Sequence, residues 1–283
     1  EMEGLHVEAG HFDHVFDAAR DAAGGLDVYD AETGRPVCLL RPRAIKPDTA
    51  RHVWAELRGK VKAVPDNRKI AAGKGAAKRG STHTNAIARD ASTPSGVFKD
   101  ASNEVIGFLN NDGRRHRFCR QSAFTAEHPE VWRVTVAFCR ELDAIYRDAL
   151  PDQWARQKAF ADRLHPAYLI PGTVFSTVTV NRNWQTAYHF DAGDYSEGFG
   201  VMAQWRAGSF TGGDLVFPGY RFAVRYGAGD VCFANVHELH GVSRMIGLKG
   251  SWERLVGVFY LREGLLDCES PEAEIARIKR GKA

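Results

Sequence analysis

A chain of 283 residues, 44% of them hydrophobic, can bury one large core or two small ones. A formal charge of +3, from 38 Lys and Arg against 35 Asp and Glu, permits an acidic partner without demanding one. No apolar run nears the ~20 residues of a membrane-spanning helix, and the opening "EMEGLHVEAG" lacks the form of a signal peptide. Five cysteines (Cys38, Cys119, Cys139, Cys232, Cys268), odd in number and without a CxxC pair, match neither a disulfide framework nor a zinc ribbon. The expectation is an intracellular monomer with no membrane partner: nuclear in a eukaryote, cytoplasmic in a bacterium or for a virus.

The first 57 residues combine a short helical start with "GLDVYDAETGRPVCLL", which reads as a hairpin turning at Thr33-Gly34. Composition then shifts. Across 58–79, Arg58, Lys60, Lys62, Arg68, Lys69, Lys74, Lys78 and Arg79 face one acid, Asp66, among glycines and alanines. This reads as a basic loop, either a solvated linker or a surface for an acidic partner. A second basic cluster, Arg114, Arg115, His116, Arg117 and Arg120, follows the turn-like "NNDG". Pro129 suits the first turn of a helix, and Val131, Val134, Phe138, Leu142 and Ile145 recur at helical spacing. A second helical piece, about 153–164, continues after Pro151. From Pro171 onward, short runs rich in Val, Phe, Tyr and Thr alternate with glycine-bearing turns, the texture of a β barrel or jelly roll. The fold class is therefore α+β: a double-sheet β core with a helical support layer.

Chemistry concentrates in "QTAYHFDAGDYSEG". In an extended chain, His189 and Asp191 point to one face and Phe190 to the other. A third metal ligand is available in "DVCFANVHELHG", where His237 and His240 compete; His240 opens the next β-run, whereas His237 lies in the connection before it. Two histidines and one carboxylate make the facial triad of non-haem Fe(II) oxygenases, which leaves three positions open. Arg254 stands at the head of the apolar strand "RLVGVFYL", where an unpaired charge is costly. A dicarboxylate cosubstrate would supply its partner through a charge-assisted pair. Gly212 and Gly213 of "GGDLVFPGY" read as a tight crossover, and Trp184, Tyr188 and Phe190 as core or wall residues.

The array "YHFDAGD … GGDLVFP … GDVCFANVHELHG … ERLVGVFYL" resembles the double-stranded β-helix (jelly-roll, cupin-like) core of Fe(II)/2-oxoglutarate dioxygenases. The stretch "RFCRQSAFT" resembles the segment ahead of the core in their TET/JBP branch, which oxidises the 5-methyl group of pyrimidines in nucleic acids; Ser122 stands where a threonine is usual. The resemblance covers about residues 95–263. It implies a dioxygenase domain over 95–283, with helical support at about 129–165 and a β-helix core at about 171–263. Residues 1–94 would be an extension carrying the basic loop, packed on or inserted near the core.

Metal ligands His189, Asp191 and His240 are implied, as is Arg254 for the distal carboxylate of 2-oxoglutarate. Halogenases of the superfamily replace the carboxylate ligand with a small residue, so Asp191 implies hydroxylation. Asp194 would contact the ligands from behind or cap a turn. Algal relatives that use ascorbate also carry an aspartate after the HxD, so ascorbate stands beside 2-oxoglutarate as reductant or alternative cosubstrate.

A duplex base reaches a buried iron after being flipped, which requires cationic contacts to phosphates and groups that read the base. Arg120 and Gln121, inside the family-like segment, are candidate substrate contacts, and Lys74, Lys78 and Arg79 candidate phosphate contacts. The expected partners are DNA, dioxygen and 2-oxoglutarate. The expected reaction takes 5-methylcytosine to 5-hydroxymethylcytosine, with thymine as the other base. The alternatives are a 2-oxoglutarate oxygenase acting on a protein side chain or small molecule, and a catalytically silent binding module, against which the intact triad argues.

Overall fold

The N-terminal chain lays down β1 (His14–Asp17), a single turn α1 (Ala18–Asp21), β2 (Leu26–Tyr29), β3 (Pro36–Arg41) and helix α2 (Pro47–Leu57). This computed structural model describes residues 2–21, 24–61, 71, 102–111, 117–247 and 252–280. The expected boundary at residues 94 and 95 lies outside them. β2 and β3 form the expected hairpin, closed where Gly34 N–H donates to Asp30 O at 2.9 Å with Gly34 at φ 66°.

β4 (Ser102–Leu109) and β5 (Arg120–Gln121) come next, then α3 (Ala123–Glu127), α4 (Pro129–Ala149) and α5 (Pro151–Ala161). Pro129 and Pro151 each occupy the first turn of a helix, where no backbone donor is lost. The remaining chain is almost all β: β6 (Thr177–Arg182), β7 (Gly200–Ala207), β8 (Phe210–Thr211), β9 (Leu215–Phe217), β10 (Phe222–Arg225), β11 (Val231–Ala234), β12 (Gly241–Val242), β13 (Ile246–Gly247) and β14 (Glu253–Tyr260). Helix α6 (Pro271–Arg280) follows.

One sheet runs β2-β3-β11-β7-β14-β6-β4-β5 and a second β1-β10-β9-β12, with β8 and β13 as a separate ribbon. Described strands pair antiparallel except β1 with β10. This is a jelly-roll core with helices on one face, as the sequence led us to expect. No helix among the described residues is long and apolar enough to cross a membrane.

Period-2 alternation decides what each face of the large sheet does. On β6, Val178 and Val180 pack under the helices, while Thr179 and Asn181 line a cavity between the sheets. On β14, Leu255 and Phe259 face the helices, and Arg254, Val256, Val258 and Tyr260 face the cavity. On β7, Val201, Ala203 and Trp205 face the helices and Met202 the cavity. Helix α4 answers with Val131, Phe138, Leu142 and Tyr146, all fully buried along one stripe.

Two features of the fold depart from what the sequence suggests. "AYHFD" is no regular strand: His189 makes an isolated bridge to His240. Tyr188 N–H meanwhile donates to Leu5 O at 2.8 Å and Asp191 N–H to Val236 O at 3.0 Å, so neighbours on different segments satisfy its backbone. The cysteines are not all free either. Cys119 and Cys268 form a disulfide across a separation of 149 residues, which no local spacing could reveal. Cys38, Cys139 and Cys232 remain free and buried.

Phe138 sits where the layers meet, with ring centroids 5.5 Å from both Trp205 and Phe259. Phe138→Ala is expected to lower the unfolding free energy by about 3–5 kcal/mol, measured by urea denaturation. A loss below about 1 kcal/mol, the scale of a conservative core change, would show that the helix layer does not brace the sheet.

Candidate metal centre and cavity

His189 and His240 face each other across a two-way backbone bridge: His189 N–H donates to His240 O at 2.9 Å and His240 N–H to His189 O at 3.1 Å. Both rings are clamped in the same manner. Nδ1 of His189 lies 2.8 Å from Ala187 O, and Nδ1 of His240 lies 2.9 Å from Glu238 O. A carbonyl accepts and cannot donate, so each Nδ1 carries a proton, and in the neutral imidazole the lone pair then lies on Nε2. Those Nε2 atoms lie 3.3 and 3.9 Å from the two carboxylate oxygens of Asp191. One donor atom from each of the three residues falls within 4.8 Å of the others. Donors that share an ion at about 2.0–2.2 Å stand at such separations, so tautomer, donor chemistry and spacing all fit a divalent metal. His237 takes no part: its Nε2 lies 2.9 Å from Tyr195 O. Of the two distal histidines, His240 is the one that joins the His189–Asp191 cluster.

The histidines are 5% and 3% exposed, while the Asp191 side chain keeps 24% of its surface open. They border a cavity of about 500 Å³, within the size of small-molecule sites. Arg254, 3% exposed, lies on its wall. Its Nε donates to Gln204 Oε1 at 2.8 Å and its Nη2 to Gly213 O at 2.9 Å. Gln204 is oriented in turn by donating to Tyr226 O. Both acceptors on Arg254 are neutral, no carboxylate among the described residues forms an ion pair with it, and burial pulls its pKa down. Nearby Asp214 is committed elsewhere, to Arg225 at 2.7 and 3.1 Å. The double glycine makes this geometry feasible. Gly212 and Gly213 have φ of 75° and 79°, and a Cβ on Gly212 would lie 1.7 Å from Arg244 O.

A second arginine lines the same cavity. Arg262 donates Nη2 to Tyr260 Oη at 3.0 Å and Nη1 to Asn110 Oδ1 at 3.3 Å. The Tyr260 hydroxyl, then Asp194 and Asp191, hold its pKa above the usual value. The sequence reading singled out neither Arg262 nor Asn110. The signal it used for Arg254, a charge joined to an apolar strand, also marks Arg262 two residues after β14.

Asp194 lines the cavity and bridges to Arg262 through the backbone. Arg120 is half-buried on the cavity wall, its guanidinium over the Phe118 ring at 5.7 Å. Gln121 is exposed and does not line the cavity. The surrounding "CRQSAFT" segment is anchored tightly. Ser122 Oγ caps α3 by accepting Thr125 N–H at 3.2 Å, and Thr125 Oγ1 accepts Gly107 N–H at 2.8 Å. Serine performs the cap as a threonine would.

Lys62, Arg68, Lys69, Lys74, Lys78, Arg79, Arg114, Arg115 and His116 lie outside the described residues. Two other cations of the first basic stretch are engaged with acids distant in sequence: Arg58 with Glu253 at 3.4 Å, and Lys60 with Glu130 at 3.0 Å as well as Glu56.

The family Tet_JBP, described as the oxygenase domain of the 2OGFeDO superfamily, matches residues 106–263. Thymine dioxygenase JBP1 of Trypanosoma brucei brucei is 34% identical over 166 residues, 58% of this chain and 19% of that protein. The bifunctional helicase and thymine dioxygenase JBP2 of Leishmania tarentolae is 34% identical over 169 residues, 58% of this chain and 15% of that protein. The chain thus spans less than a fifth of the length of these relatives. The solved structure of NgTET1 in complex with 5mC DNA superposes with a TM-score of 0.60 over 90% of this chain and 84% of that one, at 12% identity, which is a likeness of fold. The match covers more than half of the chain and encloses the HxD pair, the distal histidine and the buried arginine, so this protein belongs to the Tet_JBP family of 2-oxoglutarate/Fe(II) oxygenase domains.

Proposed function

We propose that this domain hydroxylates the 5-methyl group of a pyrimidine base in DNA, using Fe(II) and 2-oxoglutarate. The observation that carries the reading is one cavity of about 500 Å³ bordered by both the His189–Asp191–His240 triad and a buried arginine with neutral partners. A metal centre alone would serve many reactions. A metal centre beside a cation that lacks an anion calls for a metal-binding carboxylic acid.

The roles divide by position. Nε2 of both histidines and the Asp191 carboxylate would hold the iron, with each imidazole kept in the right tautomer by its carbonyl. Arg254 would receive the far carboxylate of 2-oxoglutarate, held in aim by Gln204 and Gly213. With dioxygen and 2-oxoglutarate, bound iron supplies the oxidising power that converts a methyl C–H to C–OH, leaving succinate and carbon dioxide. Val256, Val258, Met202 and Leu215 line the cavity with apolar surface, which suits a methyl group and excludes bulk water. Toward Asn110, Asp194 and Arg262 the wall is polar, and there the edge of a flipped base would find hydrogen-bonding groups. Arg120 would contact the displaced nucleotide, and Lys74, Lys78 and Arg79 the phosphates.

The sequence reading put 5-methylcytosine ahead of thymine. The names of the 34%-identical relatives support thymine as the first base to test. DNA containing 5-methylcytosine or thymine as its one methylated pyrimidine, incubated with iron, 2-oxoglutarate and dioxygen, is digested and its nucleosides weighed by mass spectrometry. A gain of one oxygen on thymine is expected. Oxygen gained on 5-methylcytosine alone reverses the order of the bases. Neither base oxidised, while a peptide or free metabolite is, would overturn the nucleic-acid reading.

Two variant sets test the roles. His240→Ala is expected to abolish turnover and lower metal affinity by orders of magnitude, whereas His237→Ala keeps both, read by calorimetry with Mn(II). The opposite pattern would move the ligand to His237. Arg254→Ala should raise the 2-oxoglutarate requirement by orders of magnitude, since unpairing a buried ion pair costs roughly 3–5 kcal/mol, and leave metal affinity nearly intact. An unchanged requirement, or full turnover with ascorbate in place of 2-oxoglutarate, would remove Arg254 from that role.

A further inference from the structure

The cavity that Arg254 lines also contains a donor with no acceptor among the described residues. Trp184 lines the cavity and is 1% exposed, and its Nε1–H is buried with no acceptor among the described residues. Buried indole N–H groups ordinarily find an acceptor, because leaving one unmade forfeits its hydration without return. Phenylalanine would fill much of the same space without that cost. The backbone ties the tryptophan to the arginine. Asn183, at a left-handed φ of 49°, follows β6, donates its N–H to Arg254 O at 2.8 Å and accepts Arg254 N–H on Oδ1 at 2.8 Å. Trp184 is the next residue. One cavity is therefore lined both by a cation whose acceptors are neutral and by a donor with no acceptor among the described residues.

We propose that Trp184 binds 2-oxoglutarate by donating its indole N–H to the same far carboxylate that Arg254 receives. This rests on the reading above. A carboxylate has two oxygens and about four lone-pair sites, so one oxygen can accept from the guanidinium and the other from the indole. An apolar tail would answer neither the indole N–H nor the buried guanidinium. Trp184 thereby helps select a dicarboxylate over a 2-oxoacid with an apolar tail.

The test is calorimetric titration of the Zn(II)-loaded protein with 2-oxoglutarate and with 2-oxobutyrate, which keeps the metal-binding end and lacks the second carboxylate. Trp184→Phe is expected to weaken 2-oxoglutarate about ten- to a hundredfold, the range for a hydrogen bond to a charged group. Its affinities for 2-oxobutyrate and for Zn(II) should match those of the unsubstituted protein, a split that a general loss of structure would not give. Equal 2-oxoglutarate affinity with and without the substitution overturns the proposal and leaves the dioxygenase reading standing. No binding of 2-oxoglutarate to the unsubstituted protein overturns both. If Trp184→Phe does not fold, the unsubstituted Zn(II) protein labelled with 15N-tryptophan carries the test. Of its six tryptophans, one indole N–H signal should move downfield with 2-oxoglutarate and stay in place with 2-oxobutyrate. Six unmoved signals, or an equal shift with both acids, overturn the proposal.

Discussion

Alternation along β6, β7 and β14 is the constraint on which the rest of the molecule depends. β14 lies between the other two strands, and Val258 is registered with Thr179 on one side and Met202 on the other. All three line the cavity. The residues one position along, Phe259, Val178 and Val201, belong to the helix-facing core. A slip of one residue in any pairing would exchange the two sets. Asn181 and Arg254 would then be pressed against α4, and valines would replace the polar wall. The helix layer therefore does more than stabilise the sheet: by burying one face, it dictates that Arg254 and Tyr260 point into the cavity.

The same economy governs the candidate metal ligands. His189 and His240 are joined by two backbone hydrogen bonds, and each ring is fixed by a main-chain carbonyl two residues earlier. The donor set is thus organised by backbone that is itself paired, in a place where a disordered loop would hold ligands poorly. On the wall of the same cavity, Arg254 is anchored by neutral groups, so its charge is not cancelled by a neighbouring carboxylate. Apolar residues and a polar cluster of Asn110, Asp194 and Arg262 complete the lining. Three chemistries share one cavity because three neighbouring strands and the loops that cap them each contribute a different stretch of wall.

Much of the site was legible in the sequence. Metal ligands require a few residue types within short spans, so "HFD" and "HELHG" narrow the choice to five side chains. Arg254 stood out as a charge inside an apolar strand. The remainder depends on contacts between distant segments. Arg262 looks like an ordinary strand-end cation until Asn110 and Tyr260 are seen to accept from it. Cys119 and Cys268 meet because the chain after β14 returns to the segment before β5. Arg58 and Lys60 seemed to belong to a free basic loop, whereas their acidic partners, Glu253 and Glu130, lie far along the chain. Gln121 fell inside the family-like stretch, yet that stretch serves partly as an anchor: Ser122 and Thr125 tie α3 to β4, which leaves Arg120 on the wall and Gln121 outside.

The central claim is that the triad and Arg254 together form one site for a metal-chelating dicarboxylate. Visible absorption of the anaerobic Fe(II) protein on titration with 2-oxoglutarate tests it most directly, because a 2-oxoacid chelated to Fe(II) gives a charge-transfer band that neither component gives alone. The band should rise with one equivalent of 2-oxoglutarate and be absent in Asp191→Ala. Iron bound tightly with no band at saturating 2-oxoglutarate would contradict the claim.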